Sequence, residues 1–358
     1  MSGPDAAAAQ AARPLVLGSW PGAEVTHNRF LPILLDALQS LGVQIRSFPE
    51  SRDIDVAGLD ALLIHWPDKV FWEATSSPEA LGRMLRFLQV LRRRPAKTRL
   101  IWMVHDLAPH DLRRVRRLTW PPYRRALVRL IDGAVTLSRG TVDVVRDGLQ
   151  PAHDVPVGHI WHPYYPDETV AAEAIHRRRA AFGWEAGERV FGYCGQIRPY
   201  KGVEDLVAAF RRFDAPEARL LIAGRPRNAA IAGDLTGQAS GDPRIRLHLE
   251  DLSATEFREF LSACDIVVAP FRHYLHSGSL IHTLSCQRPI LTPSTPFAES
   301  IADRIVSPGW IQTYRGPLTP DHLGGISPPD GAPDLGRLSP EQAGKDLLDF
   351  VNALMPSR

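Results

Sequence analysis

Two successive series of short β-branched runs alternate with helix-patterned segments along this chain, and that alternation admits few folds. A short apolar run bounded by turn residues reads as a buried strand, and an apolar stripe at spacing three and four reads as the inner face of a helix. Strand, helix, strand in that order calls for parallel pairing with crossover helices. The first series comprises PLVLGSW (14–20), VQIRSF (43–48), LDALLIHW (59–66), TRLIWMVHD (98–106), GAVTLS (133–138) and VGHIWH (157–162). Leu31, Leu34, Leu35, Leu38 and Leu41 mark a helix over 29–41, and a longer helix is expected over 78–94. The second series runs from RVFGYCGQI (189–197) through RLLIAG (219–224), RIRLHL (244–249) and DIVVAP (265–270) to PILTP (289–293). Helices are expected over 202–212, 228–239, 254–263 and 279–287, and an amphipathic one over 340–354. The organisation that follows is a disordered leader (1–13), an N-terminal α/β domain (14–163), a C-terminal α/β domain (164–338) and a terminal helix (339–358). Two Rossmann-like halves then face each other across a cleft.

A length of 358 residues suffices for two cores, and 44% apolar with 23% charged residues is an ordinary globular balance. No apolar run is long enough to span a bilayer, and the first residues lack a basic stretch followed by an apolar one. Cys194, Cys264 and Cys286 are widely spaced without a CxxC pair. That argues for a reducing compartment, no disulfide frame and no zinc site, with Cys264 and Cys286 as small core residues. The expected location is the cytoplasm. A formal net charge of +2 conceals an asymmetry: from Arg83 to Arg129 stand fourteen Arg or Lys against two acids, Asp106 and Asp111. Such a block attracts phosphate-rich partners, either nucleic acid or an anionic membrane.

In open α/β sheets ligands bind at the carboxyl ends of the strands. There GQIRPYKG (195–202) sits between a strand and a helix. Gly195 permits close backbone approach, Gln196 follows it, and Arg198 and Lys201 place two cations beside a helix N-terminus, which is what a diphosphate needs. A solvated surface loop is the plain alternative. In RHYLHSGSLIHTLSCQRPIL (272–291), Ser277, Gly278 and Ser279 precede a helix whose apolar face begins at Leu280. Small residues there expose backbone N–H groups to an anion; equally, Ser277 can be a helix cap and nothing more. Asp53 and Asp55 form an isolated acid-x-acid pair that reads as a solvated loop rather than a metal site.

Taken together, the two segments resemble the donor domain of GT-B glycosyltransferases, with AGRP (223–226) and DIVVAPFR (265–272) in the expected order. The resemblance covers both halves and is most specific over 190–310. It implies two Rossmann-like domains, a nucleotide-sugar donor on the C-terminal one and an acceptor on the N-terminal one. In the common retaining branch two glutamates eight positions apart flank the Gly-rich helix start; here Tyr274 and His282 stand at those positions. LLIHWPD (62–68), VHDLAPHD (104–111), IRPYKGVEDL (197–206), HSGSLIHTLSCQRPIL (276–291) and SPGWIQTYRG (307–316) narrow the resemblance. They are similar to motifs of the lipid-linked β-mannosyltransferases of xanthan- and acetan-type exopolysaccharide assembly. This implies inverting transfer of mannose from GDP-mannose to a polyprenyl-diphosphate oligosaccharide, with no metal or other cofactor required.

Inversion needs a base for the acceptor hydroxyl and positive charge for the departing diphosphate. Arg198 and Lys201 fit the second role. For the first, Asp111 matches the PH-acid motif and is preferred, ahead of Asp106 and then Asp68; each is equally readable as a turn or cap residue. His105 sits where related GT-B enzymes place a histidine on the donor sugar, and a buried structural histidine is the alternative. His65 reads as structural, beside Trp66. Gly22, Asn28 and His162 are candidates on the acceptor side, with a helix cap the favoured reading of Asn28 and a hinge role that of His162. RMLRFLQVLRRR (83–94) and LRRVRRLTWPPYRRALVRL (112–130) suit helices lying on anionic lipid, with Arg113, Arg114, Arg116, Arg117, Trp120 and Tyr123 in contact. That places the protein peripherally on the inner face of the plasma membrane. A solvated basic face is the alternative, and no nucleic-acid-binding signature accompanies the charge. Rival readings are a retaining transferase of the same fold and a sugar-nucleotide-binding module without catalysis. A nicotinamide enzyme is disfavoured because the first turn, GSWPGAE, lacks GxGxxG.

Overall fold

The computed structural model describes residues 13–25, 28–72, 74, 76–109, 114–149, 154–185, 187–305 and 307–355, with the side chains of 114–118 left aside. The first half contains β1 (Val16–Trp20), α1 (Phe30–Ser40), β2 (Gln44–Ser47), β3 (Ala61–His65), α2 (Lys69–Trp72), α3 (Ser77–Arg92), β4 (Arg99–Met103), α4 (Arg114–Val128), β5 (Gly133–Thr136), α5 (Val142–Leu149) and β6 (Val157–His159). α6 (Ala172–Ala181) leads into the second half: β7 (Arg189–Cys194), α7 (Val203–Arg211), β8 (Ala218–Ala223), α8 (Ala229–Ala239), β9 (Ile245–His248), α9 (Ala254–Ala263), β10 (Ile266–Val268), α10 (Gly278–Ser285), β11 (Ile290–Pro293), α11 (Pro296–Arg304) and β12 (Ile311–Tyr314). α12 (Pro320–Gly324) and α13 (Pro340–Leu354) finish the chain.

The strands form two six-stranded sheets ordered β2-β1-β3-β4-β5-β6 and β12-β11-β10-β7-β8-β9, parallel at every pairing. A parallel sheet is covered on both faces, so its inner strands bury every side chain. All five residues of β3 are buried accordingly. Strand order reverses between β7 and β10 in the second sheet, and such switch points are where ligands enter α/β sheets.

The leucine stripe predicted for α1 is buried at Leu31, Leu34, Leu35 and Leu38, but Leu41 is 43% exposed. The helix ends at Ser40, so Leu41 falls outside the 3.6-residue stripe. Six elements were not expected: α2, α5, α6, α11, α12 and the edge strand β12. α6 buries none of its residues, which is why it carries no apolar stripe to read. All three cysteines are free and buried in the second half, Cys264 and Cys286 as the small core residues expected of them.

The terminal helix crosses back to the first half. Ala343, Leu347 and Val351 of α13 join a core with Leu31, Leu34 and Leu38 of α1. Phe350 lies where Gly133 and Gly158 carry no side chain: a Cβ at Gly158 would come within 2.4 Å of that ring and one at Gly133 within 3.0 Å. Arg99 Nε donates to the Leu354 carbonyl at 2.7 Å, tying the helix end to β4. Gly158→Ala should therefore destabilise the protein by about 1–3 kcal/mol through overpacking. Phe350→Leu should cost far less in the Gly158→Ala background than in the parent, and a double-mutant cycle in urea reads that coupling.

Candidate active site in the cleft

Loops from both halves line one cavity of about 440 Å³. From the first half come Trp66, Pro67 and Asp68 after β3, and His105, Asp106, Ala108 and Pro109 after β4; from the second come Gln196, Arg198 and Tyr200 after β7. Trp72, Trp102 and Trp120 complete its walls. The cleft thus gathers His105, Asp106, Asp68, Gln196 and Arg198 from segments far apart in sequence. Asp111 and its neighbour His110 lie outside the described residues.

The loop after β7 is built by backbone. Gly195 takes φ +132°, and Gly224 approaches so closely that a Cβ there would meet the Gly195 carbonyl at 2.0 Å. Tyr193 Oη donates to the Gln196 carbonyl at 2.7 Å, and Gln196 Oε1 accepts from Arg198 Nη2 at 3.1 Å. Gly202, at φ +63°, starts α7 where a side chain would collide with the Pro270 carbonyl. Arg272 clamps this loop from the β10 side. Its Nε and Nη2 donate to Asp205 at 2.9 and 3.0 Å, its Nη1 to the Pro199 carbonyl at 2.9 Å, and its backbone N–H to the Tyr200 carbonyl at 2.8 Å. Lys201 Nζ stands 3.7 Å from the centre of the Phe271 ring, a cation–π arrangement. Burial lowers this ammonium to about 8, and the carboxylate of Asp106, from the other half, acts against that shift.

At the start of α10, Ser277 Oγ accepts from the Leu280 N–H at 3.4 Å, so Ser277 is a cap. Leu280 itself is buried core. Gly278 sits against Tyr165 Oη and His162 Nε2, which would lie 2.9 and 3.6 Å from a Cβ at that position. Ser279 follows in the first turn, its carbonyl accepting from Thr283 Oγ1. His162 Nδ1–H donates to the Pro163 carbonyl at 2.9 Å, and burial holds the ring neutral at about 4. His162 therefore backs the start of α10.

Tyr274 and His282 have the partners of a structural pair. Tyr274 Oη accepts from Thr295 Oγ1 at 3.0 Å. His282 Nε2–H donates to Glu168 Oε2 at 2.6 Å, while Arg29 of α1 pairs with the other carboxylate oxygen. Burial would raise Glu168, but Arg29 and His282 hold it below the ordinary range. Glu168, His282 and Cys286 offer three possible metal-ligand atoms within 4.8 Å of one another. The guanidinium of Arg29 already serves there as counter-charge to the carboxylate. The pair Asp53 and Asp55 is likewise engaged locally: Asp55 pairs with Arg46 at 2.9 Å, and Asp53 Oδ2 accepts from the Glu50 N–H at 3.2 Å.

Two expectations need correction. Trp120 and Tyr123 do not face lipid: they are 5% and 1% exposed, and Tyr123 Oη donates to the Pro67 carbonyl at 2.9 Å. α4 turns its aromatic residues inward because Phe71 and Phe87 offer them a core. The space beside Gly22 is not open to an acceptor, since Ser47 Oγ and the Glu24 carboxylate fill it, bonded to each other at 2.6 Å. Asn28 Oδ1 accepts from the Phe30 N–H at 3.0 Å, which makes it a helix-start residue. Arg113 and the side chains of Arg114, Arg116 and Arg117 lie outside the described residues.

Sequence reasoning missed Glu168, Arg272 and His276. His276 Nδ1–H donates to the His105 carbonyl at 3.0 Å. Its Nε2 accepts from the Leu137 N–H at 3.2 Å and lies 2.7 Å from Thr136 Oγ1 and 3.0 Å from Thr141 Oγ1. Nothing local in sequence announces these partners, which come from more than a hundred residues away.

Residues 188–313, which hold the β7 loop, Arg272 and α10, match the family described as glycosyl transferases group 1. Over 336 residues the chain is 29% identical to a GDP-mannose:glycolipid 4-beta-D-mannosyltransferase from Xanthomonas campestris pv. campestris, covering 92% of this chain and 89% of that one. Among solved structures it is similar to Anabaena HepE in complex with UDP and glucose, with TM-score 0.64 and 13% identity over 95% of this chain and 100% of that one. It is also similar to sucrose-phosphate synthase from Thermosynechococcus elongatus, with TM-score 0.61 and 15% identity over 96% and 95%. With its paired parallel sheets and the loop geometry at their strand ends, the chain has the GT-B fold, and its second half is similar to the group 1 glycosyltransferases.

Proposed function

We propose that this protein transfers mannose from GDP-mannose, with inversion, to a polyprenyl-diphosphate-linked oligosaccharide at a membrane surface, as a step of exopolysaccharide assembly. The observation that carries this reading is the cleft, where Asp68 and Asp106 from one half line the same cavity as Arg198 from the other, with Lys201 near enough to Asp106 to feel its charge. The similarity to a GDP-mannose:glycolipid 4-beta-D-mannosyltransferase over nearly the whole length supports the donor and the acceptor class. In the reaction a carboxylate of the first half takes the proton of the acceptor hydroxyl as its oxygen bonds to the anomeric carbon. The bond from that carbon to the diphosphate breaks on the opposite face, and Arg198 and Lys201 receive the charge of the departing GDP. Tyr274 and His282 supply no carboxylate on the donor side, which favours inversion over retention.

The membrane face is reassigned to α2 and α3. Trp72 is 66%, Leu81 47% and Leu85 56% exposed, and the exposed Arg86, Arg92, Arg93 and Lys97 lie on or just beyond α3. Apolar side chains amid cations suit an anionic bilayer surface. Among the described residues no helix is long and apolar enough to cross a membrane. Trp72 also lines the cleft, so a lipid-borne acceptor would have a short path to the carboxylates.

A donor screen with GDP-mannose, UDP-glucose and UDP-glucuronate on a detergent-solubilised polyprenyl-diphosphate oligosaccharide should yield a β-mannosyl product by NMR. An α-linked product would overturn inversion, and absence of transfer would favour a binding module. Asp111→Asn should lower kcat by about 10²-fold or more with little change in donor KM. Survival of Asp111→Asn activity together with its loss in Asp106→Asn would move the base to Asp106. Because Lys201 must be charged to hold a diphosphate, GDP affinity should fall as pH rises above about 8, by up to about tenfold per pH unit. Lys201→Met should bind GDP weakly at all pH values and lose that slope, as read by calorimetry. A triple variant, Trp72→Ser with Leu81→Ser and Leu85→Ser, should remain in the supernatant when phosphatidylglycerol vesicles are sedimented; unchanged co-sedimentation would return these residues to an ordinary solvated face.

A further inference from the structure

His105 is gripped on three sides. Trp66 stacks on its ring at 4.2 Å and 19°, Phe30 meets it edge-on at 5.2 Å, and His65 Nδ1 lies 3.1 Å from its Nε2. Trp66 reaches its stacking position with φ +39°, a left-handed backbone that is uncommon for a bulky side chain. Such strain persists where the surroundings over-determine it. Its carbonyl accepts from the Lys69 N–H at 2.8 Å, which turns the chain into α2 behind the strained residue.

One proton is shared between the two facing nitrogens, and its owner decides what His105 can do. If His105 Nε2–H donates, His65 must carry its own proton on Nε2, an atom that is buried with no partner among the described residues. If His65 Nδ1–H donates instead, His65 Nε2 is left as a bare lone pair. A buried orphan N–H is the rarer and costlier state. Both rings are neutral: burial holds His65 at about 3, and burial together with the neighbouring imidazoles of His65, His276 and His162 holds His105 well below the usual histidine range. The His276 ring gives no competing proton to these nitrogens, because its Nδ1–H is committed to the His105 carbonyl and its Nε2 accepts.

We propose that His65 is a positioning residue that fixes His105 as the neutral Nδ1–H tautomer, so that His105 serves the bound sugar nucleotide as a hydrogen-bond donor and not as the base. This refines the proposed reaction and rests on it for the identity of the ligand, though the tautomer itself rests on geometry alone. With Nε2 occupied by His65, Nδ1–H is the only ring group His105 can offer in the cleft, and a protonated nitrogen cannot accept the acceptor's proton. A sugar hydroxyl or a phosphate oxygen can accept from it. The base is then left to the carboxylates of the same half.

Long-range ¹H–¹⁵N spectra of histidine-labelled protein test this directly, with the His105 signals identified by their loss in His105→Gln. The expected result is a protonated Nδ1 and an unprotonated Nε2 for His105 in the unaltered protein. Finding His105 protonated on Nε2 would overturn the proposal whether or not any variant folds. His65→Phe should release the lock, so that the Nε2–H form appears, and an unchanged tautomer there would also overturn it. With GDP-mannose as donor, His65→Phe should lower kcat/KM by about tenfold, the worth of one misdirected hydrogen bond, while His65→Asn, which keeps an N–H donor, should retain most of it. Lack of turnover with GDP-mannose would count against the proposed reaction and leave the tautomer result standing.

Discussion

His276 fastens the two halves across the cleft, and the geometry of the site depends on that single imidazole. It leaves the β10 side one residue before the Ser277 cap and inserts between the end of β5 and the carbonyl of His105. Both ring nitrogens have a partner of the right kind, since Nδ1–H donates to the His105 carbonyl and Nε2 accepts from the Leu137 N–H, so the ring is neutral and its orientation fixed. Burial keeps it so, at about 3. A neutral ring is a suitable fastener here, because a buried ion would demand a counter-charge in the middle of the site. Through this ring the start of α10 is tied to the strand end that carries His105 and Asp106.

A second link, of opposite chemistry, lies nearby. Glu168 is a buried carboxylate in the connecting segment, held between Arg29 of the first half and His282 of α10. Such an arrangement adds little net stability over an apolar substitute, but removal of one partner leaves an uncompensated charge and is severe. It therefore favours one arrangement of the halves over others. Tyr165 stacks on His282 at 4.6 Å and also backs Gly278, so the link is continuous with the His162 wall behind α10.

Between these links, the charges of the cleft are divided by origin. The first half supplies Asp68 and Asp106, the second Arg198 and Lys201. Lys201 is the more sensitive of the cations, since its place over Phe271 removes it from water and weakens its hold on a proton. A bound diphosphate would restore that hold. In the proposed reaction the clamp of Arg272 beneath the loop would leave little to reorganise on binding the diphosphate.

Period and turn chemistry are local properties, so the sequence by itself determined most of the order of strands and helices, the two-sheet architecture and the RPYKG and SGSL loops at strand ends of the second half. The α1 stripe and the Ser277 cap were legible for the same reason: their partners lie within one helical turn. Composition also marked the basic stretch from Arg83 to Arg129, but not which way its aromatic residues face. Trp120 and Tyr123 could have met lipid or a core equally well, and only the presence of Phe71 and Phe87 behind them settled the matter. Tertiary structure alone decided that Glu168 answers His282, that His276 reaches Thr136 and Thr141, and that His65 meets His105. These contacts span 40 to 140 residues, and a side chain's type fixes what it can bond, while its neighbours in space fix what it does bond.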